Sequence, residues 1–374
     1  MFMLTTGEVM LFALLKGSLH NEVPQWDCSA CNPGGWQECY DIAARHGVLA
    51  LAWDGLMLLP KEMHPPKNLK FQWAMNVEKY EAKYERYCRT AAGLLDFFHR
   101  NGIAAVQMKG VGLASTYNKP SHREGGDIDI FTYSADTSKL SHDHANKLAN
   151  ELMAKQGIEV DYSHSEKHSN FYFKGIPVEN HKWFVNIEVN PKFLTQLNNI
   201  LFKVLEPQKA TLLDGECSIP VPSAGFNTLF LSYHTFQHFG AGLALHHLYD
   251  WANHIKGNGI HIPSDITEQA FLRSIAALTH LCNKYLGTDV DISWLPQDYL
   301  ELSELMLQEM LHPKYKTTVP YRNPVAVLFY KFIRVLHASR LREYTLGSSR
   351  WYLLCQSVIW HLRFPATIFN RGEK

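Results

Sequence analysis

The sequence predicts a mixed α/β fold of the α+β kind, in which a small mixed β-sheet lies between two helical regions. Short runs rich in β-branched and aromatic residues cluster in the middle of the chain, and apolar residues recur at helical spacing on either side. With 374 residues and 46% apolar content, the chain can also bury a substantial core. We therefore expect an N-terminal helical region 1–101, a sheet-bearing core 102–222 and a C-terminal helical region 223–374.

The N-terminal region is predicted to begin with a capped helix. Thr5 and Glu8 have the spacing of a capping box, and segments with helical periodicity follow over 35–59 and 67–102. The first apolar run lacks a preceding basic segment, so we expect no signal peptide. The most apolar late stretch is shorter than the roughly 20 residues of a membrane span. These features predict a cytoplasmic protein without a membrane partner.

The core is predicted to combine strands with one helix. The helix is expected over 142–157, and Phe173-Lys174-Gly175 predicts the turn of an antiparallel hairpin. The predicted strands cover 103–110, 127–133, 158–164, 169–175, 176–184 and 185–191. A mixed sheet follows from this arrangement.

The C-terminal region is predicted to be helical and contains a group of histidines. His234 and His238 are four residues apart, with His246 and His247 further along the chain. Ordinary helix histidines are the simpler interpretation, and a histidine-based metalloenzyme remains an alternative hypothesis. The predicted helical segments are 226–257, 265–287, 302–311 and 324–347.

Charge and cysteine content exclude some classes of protein. Lys and Arg together number 36, as do Asp and Glu, so no global basic field predicts a nucleic-acid partner. Seven cysteines spread along the chain suit reduced thiols. Cys28 and Cys31 could form half of a zinc site, but no second pair follows, so we expect ordinary thiols.

The stretch "HREGGDIDIFTY" carries the strongest chemical signal. Asp127 and Asp129 alternate with isoleucines on a predicted strand, so both carboxylates project from the same face. Two adjacent carboxylates need a cation. Upstream, the strand that ends at Lys109-Gly110 leads into a helix-compatible segment, which favours an anionic group, and Arg123 adds a positive charge. Together these residues indicate a site for a polyphosphate and Mg²⁺, which prefers oxygen ligands.

The segment from Met108 to Tyr133 resembles the uncharacterised nucleotidyltransferase family of the DNA polymerase beta-like nucleotidyltransferase superfamily. The resemblance is carried by "MKG", Tyr117, Arg123 and "DIDIF". It extends more loosely to "PVENH" and to His234, His238 and Asp250.

This resemblance implies a nucleotidyltransferase core and Mg²⁺-dependent transfer of NMP from an NTP to an unknown small-molecule or protein acceptor. It implies that one or two Mg²⁺ ions are held by Asp127, Asp129 and a third carboxylate. The implied nucleotide-binding residues are Lys109, Gly110 and Arg123. The implied candidate acceptor site comprises His181, His234 and Asp250.

The turn after Lys109 leaves a second function open. The superfamily usually has Gly-Ser or Gly-Gly there, whereas this chain has Gly110 followed by Val111. The alternative is a catalytically weak or inactive relative that binds a nucleotide or a partner protein.

The third carboxylate has two candidates in the sequence, Glu179 and Glu188. Both lie on predicted strands, and each would share a face with polar neighbours. Glu179 is favoured, because it follows the predicted hairpin and because His181 would lie on the same strand face. Glu188 remains the alternative.

Overall fold

A computed structural model describes residues 3–26, 33–134, 142–162, 167–186, 190–240, 242–316 and 318–363. The chain divides into two compact units. We call Met3–Phe184 with Leu201–Asn227 the sheet unit, and Val185–Ile200 with Thr228–Lys374 the helical unit. The three-region boundaries at 101/102 and 222/223 stay a prediction.

Helices make up most of the described structure, and none of those described is both long and apolar enough to cross a membrane. Their bounds are α1 (Thr6–His20), α2 (Pro33–Arg45), α3 (Leu49–Met57), α4 (Lys67–Arg100), α5 (Gly110–Ala114), α6 (His142–Lys155), α7 (Pro191–Lys203), α8 (Ala224–His238), α9 (Leu245–Asn258), α10 (Gln269–Leu281), α11 (Leu300–Leu311), α12 (Pro324–Leu346) and α13 (Arg350–Arg363).

The strands form a five-stranded mixed sheet and a separate two-stranded hairpin, so the predicted fold class is confirmed. The strands are β1 (Ile103–Gln107), β2 (Ile128–Ser134), β3 (Val160–Asp161), β4 (His168–Phe173), β5 (Ile176–His181), β6 (Gln208–Leu212) and β7 (Cys217–Val221). The order in the large sheet is β1-β2-β5-β4-β3. Of the four strand pairings described in this sheet, only that of β2 with β5 is parallel.

Local sequence signals explain where several elements begin and turn. At the start of α1 the predicted capping box is present, with the Glu8 N–H donating to Thr5 Oγ1 and the Thr5 N–H donating to the Glu8 carboxylate. The predicted hairpin joins β4 to β5 in antiparallel register. Its turn residues, Lys174 and Gly175, both have positive φ, at 50° and 72°, as a tight two-residue hairpin turn requires.

Other parts of the core differ from the sequence prediction. Of the strand predicted over 158–164, the described residues 158–162 contain only the two-residue strand β3, and 163–164 lie outside the described residues. The prediction of a strand over 185–191 is wrong for Val185 and Asn186, which lie outside any strand. Helix α7 and the β6–β7 hairpin were not predicted, although the apolar residues of α7 recur at helical spacing and Asp214-Gly215 marks a turn between β6 and β7.

Strand β2 directs its isoleucines to one face of the large sheet and Asp129 to the other. Ile128 and Ile130 are fully buried in the core cluster that also includes Leu94 and Phe98 of α4. The alternation of a strand then directs the intervening Asp129 to the opposite face of β2. The functional site is built on that face.

Candidate active site

Two acidic residues lie side by side on the parallel strands β2 and β5. Asp129 on β2 and Glu179 on β5 are directly paired in the parallel register. The Asp129 side chain is 1% exposed and that of Glu179 is 29% exposed. The pairing therefore combines a buried carboxylate with one that reaches solvent.

Lys109 neutralises the buried carboxylate. Its Nζ lies 3.1 Å from Asp129 Oδ2, without the alignment of a hydrogen bond. Burial lowers the pKa of Lys109, but the carboxylates of Asp129, Asp127 and Glu179 outweigh this and hold the pKa above its ordinary value. Lys109 is therefore charged and directed at the carboxylates in this structure.

His181 joins the two paired acids on the same face. Its Nε2 lies 3.1 Å from Asp129 Oδ1 and 3.3 Å from Glu179 Oε2. The Nε2–H donates to Asp129, and this contact orients both the imidazole and the carboxylate. The position of His181 two residues after Glu179 on β5 makes this possible, because both side chains project from one face.

Asp127 stands just before β2 and is electrostatically coupled to Asp129. The negative charge of Asp129, together with burial, raises the pKa of Asp127 to about 7, despite the opposing effect of Lys109. For Asp129, burial favours the neutral form, but Lys109 and His181 outweigh it and hold the pKa well below its usual range. The site therefore concentrates negative charge that a bound cation would stabilise.

Two residues of the site, Lys167 and His168, were not among the predicted site residues. Burial and the charge of Lys109 lower the pKa of Lys167 to about 8. Burial and the neighbouring His181 lower the pKa of His168 to about 4, and its Nε2 lies 3.7 Å from Glu179 Oε2. The antiparallel register opposes His168 to His181 across the β4–β5 hairpin. Counting this register from the predicted turn would have brought His168 to the site.

Gly110 is required by the backbone that follows Lys109. Its φ is 60°, a left-handed conformation that favours glycine. A Cβ atom there would lie 2.5 Å from Nε2 of the buried Gln107 and 3.3 Å from the carbonyl oxygen of Asp127. This close approach brings the Lys109-Gly110 turn against the chain that carries the aspartates.

Arg123 lies in a loop that makes three side-chain contacts with α4. Its Nη1 donates to the Gly110 carbonyl at 3.2 Å, which ties the loop to the Lys109-Gly110 turn. The hydroxyls of Tyr80 and Tyr87 on α4 donate to the Glu124 carboxylate and to the Gly126 carbonyl. Arg123, Gly110 and these two tyrosines line one small recess.

The third contact of this loop with α4 is made by the buried His122. Its Nδ1 lies 2.8 Å from Asp54 Oδ2 and its Nε2 lies 3.0 Å from Glu81 Oε1. Burial lowers the pKa of His122, but its hydrogen bonds with these two carboxylates outweigh burial, and the pKa lies above its ordinary value. The imidazole therefore bridges α3 and α4 immediately before Arg123.

On the face of the large sheet opposite to Asp129 and Glu179, a buried network of polar side chains fixes the register of β5 against β2. Thr132 Oγ1 donates to Asn180 Oδ1 at 3.1 Å, and Asn180 Nδ2 donates to Asn150 Oδ1 at 2.9 Å. Ser169 on β4 donates to the same Asn150 oxygen. A one-residue slip of β5 would break this network and turn Glu179 away from Asp129.

Asp129, Glu179 and His181 project from one face of the large sheet, which we call the acidic face, and their ligand atoms suit a divalent cation. Asp129, Glu179 and His181 each offer one ligand atom, and these atoms lie within 4.8 Å of one another. Asp129 Oδ2 is buried and accepts no hydrogen bond from the described residues. Carboxylate oxygens are the preferred ligands of Mg²⁺. The residues present therefore suit an oxygen-preferring cation, with Asp127 as a further carboxylate.

The other predicted site residues fall into two sets. His234 and Asp250 belong to the helical unit, where His234 lies beside His238 and His247. Glu188, the alternative third carboxylate, and the Cys28–Cys31 pair lie outside the described residues.

Comparison with known proteins gives one result that bears on this site. No curated protein and no solved structure matches the chain. A family described as uncharacterised nucleotidyltransferases matches residues 32–287, more than half of the chain, and the range includes the whole acidic face. The match supports nucleotidyl transfer as the general activity. The chain therefore belongs to the uncharacterised nucleotidyltransferase family.

Proposed function

We propose that this protein is a Mg²⁺-dependent nucleotidyltransferase that transfers NMP from an NTP to a small-molecule or protein acceptor. The observation that carries the proposal is the direct pairing of Asp129 with Glu179 across two parallel strands, with Asp127 two residues away. Carboxylates grouped on one face of a sheet suit a divalent cation that also binds triphosphate oxygens.

The reaction would join an acceptor oxygen to the α-phosphorus of the NTP. As this bond forms, the bond from the α-phosphorus to the bridging oxygen breaks, pyrophosphate leaves with that bonding electron pair, and the proton of the acceptor hydroxyl passes to solvent water. Bound Mg²⁺ would neutralise the charge that develops on the phosphate oxygens. Asp127, Asp129 and Glu179 would hold the cation.

The cationic side chains of the site would bind and orient the nucleotide. Lys109, which neutralises Asp129 in this structure, would redirect its charge to the triphosphate when a cation neutralises the carboxylates. Arg123, in the loop held against α4 and hydrogen-bonded to the Gly110 carbonyl, would provide a second positive charge for the triphosphate. His181, in contact with both paired acids, would keep their carboxylates in position and border the acceptor site.

The experiment is a transfer assay on the full chain with each of the four common ribonucleoside triphosphates in turn. Each is labelled on the α-phosphate and incubated with Mg²⁺ and a protein extract, and the readouts are pyrophosphate release and transfer of label to an acceptor. Glu179→Gln is the inactivating variant. Glu151→Gln, which changes an exposed glutamate on α6 of the same unit, is the matched control.

The result expected is Mg²⁺-dependent transfer by the wild type and by Glu151→Gln, but not by Glu179→Gln. Mg²⁺-dependent NTP binding without transfer would favour the alternative function, a relative that binds nucleotides without catalysis. NTP binding by the wild type that is the same with and without Mg²⁺ would contradict the proposed transfer, and normal Mg²⁺-dependent binding by Glu179→Gln would point to Glu188 as the third carboxylate.

A further inference from the structure

Three histidines of the helical unit converge, although only two of them are neighbours on one helix. His234 and His238 lie on α8, and His247 lies in the first turn of α9. The separations between ring centroids are 4.6 Å for His234 and His238, 4.8 Å for His238 and His247, and 5.4 Å for His234 and His247. Each residue offers one ligand nitrogen, and the three nitrogens lie within 4.8 Å of one another.

This spacing is close to that of a metal site. Histidine nitrogens bind Zn²⁺ at about 2.0–2.1 Å, so two of them on one ion lie no more than about 4.2 Å apart. Small side-chain rotations would therefore suffice to bring the three nitrogens onto one ion. Residues four apart on a helix face form half of such a site, and a residue from a second helix completes it.

The surroundings orient the third histidine. His247 is buried, and its Nδ1 lies 3.2 Å from the backbone N and 3.3 Å from the carbonyl oxygen of Ala244. With Nδ1 engaged by this backbone, Nε2 is the ligand atom that it would offer. Such fixing of one ring nitrogen is the usual arrangement around metal-binding histidines.

The cluster also has an apolar wall and a side open to solvent. The ring of the buried Phe230 stacks on His234 with a centroid separation of 6.2 Å. His234 and His238 are half-buried, so an ion can reach them from solvent. Adjacent protonated imidazoles would repel one another, whereas the neutral form is the one that binds metals.

We propose that His234, His238 and His247 form a site for a divalent transition metal of the kind that prefers imidazole, such as Zn²⁺. The ligand chemistry separates it from the acidic face of the sheet unit, because imidazole nitrogens select transition metals and carboxylates select Mg²⁺. This site does not depend on the proposed transfer reaction.

The test is metal binding by the full chain after removal of metals with a chelator. Zn²⁺ bound per chain is measured after desalting, and Co²⁺ is used as a spectroscopic substitute whose visible absorption reports histidine ligation. The half-buried residues are changed in His234→Ala and His238→Ala, which are less disruptive than a change of the buried His247. His280→Ala, a half-buried histidine of α10 in the same unit, is the matched control.

The wild type and His280→Ala are expected to bind one ion per chain. His234→Ala and His238→Ala are expected to lose at least about tenfold in affinity while keeping the wild-type circular dichroism spectrum. Glu179→Gln is expected to bind Zn²⁺ as the wild type does. Equal affinity of the wild type and His238→Ala would overturn the proposal, as would a loss of Zn²⁺ binding in Glu179→Gln that His238→Ala does not share.

Discussion

Asp129 and Glu179 occupy directly opposed positions on neighbouring parallel strands, and Nε2 of His181 lies within 3.3 Å of a carboxylate oxygen of each. One of the two acids is buried and the other is partly exposed. This asymmetry leads to different predictions for the two residues, since the exposed acid can be changed with little effect on folding, whereas the buried one cannot.

Glu179→Gln is predicted to abolish Mg²⁺-dependent NTP binding while leaving stability nearly unchanged. The substitution keeps the shape of a partly exposed side chain but removes a charge that the cation needs. Changes to residues that only orient metal ligands cost about 10–100-fold in affinity, so we expect a larger loss here. Calorimetric titration with and without Mg²⁺ measures it. Should Glu179→Gln bind normally while Glu188→Gln does not, the third carboxylate is Glu188.

Asp129→Asn is predicted to destabilise the sheet unit by about 3–5 kcal/mol, because it removes the carboxylate that lies closest to the buried charge of Lys109. Lys109→Met should also destabilise, and the double variant should cost less than the two single variants together. Urea unfolding of the full chain measures the free energies.

The control for this prediction is the exposed ion pair between Lys182 and Asp143, 3.5 Å apart in the same unit. Asp143→Asn should change the free energy of unfolding by no more than about 1 kcal/mol. Equal costs for Asp129→Asn and Asp143→Asn would mean that the Lys109–Asp129 pair is not desolvated.

Gly110→Ala is predicted to destabilise the protein by at least about 1 kcal/mol and to weaken NTP binding. The left-handed backbone costs an alanine about 1–2 kcal/mol, and the added methyl group would meet the buried Gln107 amide. Gly125→Ala is the matched control, because a Cβ atom there meets nothing within 4 Å. Thermal unfolding of both variants tests this, and equal melting temperatures would exclude strain at Gly110.

His122 is predicted to stabilise the protein most at mildly acidic pH. Its pKa is raised in the folded state, so its stabilising effect is fully present below the unfolded value of about 6.5 and is lost as the pH rises through the folded value. The difference in unfolding free energy between wild type and His122→Gln should therefore narrow as the pH rises above about 6.5.

His99→Gln, which changes an exposed histidine near the end of α4, is the control for this pH series. Its difference from the wild type should stay small across the same range. A gap for His122→Gln that is constant with pH, or one that widens as pH rises, would mean that His122 is neutral between Asp54 and Glu81.

Local patterns in the sequence were sufficient to predict the elements that carry the acids. Alternation predicted a strand with Asp127 and Asp129 on one face, and the Lys174-Gly175 turn predicted the hairpin that brings β5 beside β2. Both inferences depend on residues that are close in sequence, for which backbone geometry leaves few alternatives.

Contacts between distant residues could not be predicted in this way. The role of Lys109 at a triphosphate stays a prediction, and its ion pair with Asp129 was not predicted. Lys167, just before β4, has no periodic signal, whereas the β4–β5 register counted back from the predicted turn places His168 opposite His181. The grouping of His247 with His234 and His238 was an alternative hypothesis from the sequence, and their convergence depends on the packing of two helices.

The parallel pairing of β2 with β5 has a consequence for the order of folding. The β1–β2 and β4–β5 pairings are antiparallel and join residues that lie nearer in the chain, whereas Asp129 and Glu179 are about fifty positions apart. Pairings between distant residues carry a larger loop-closure entropy and slow folding. The acidic residues should therefore be the last part of the sheet to assemble during refolding, so that recovery of Mg²⁺ affinity lags behind recovery of secondary structure.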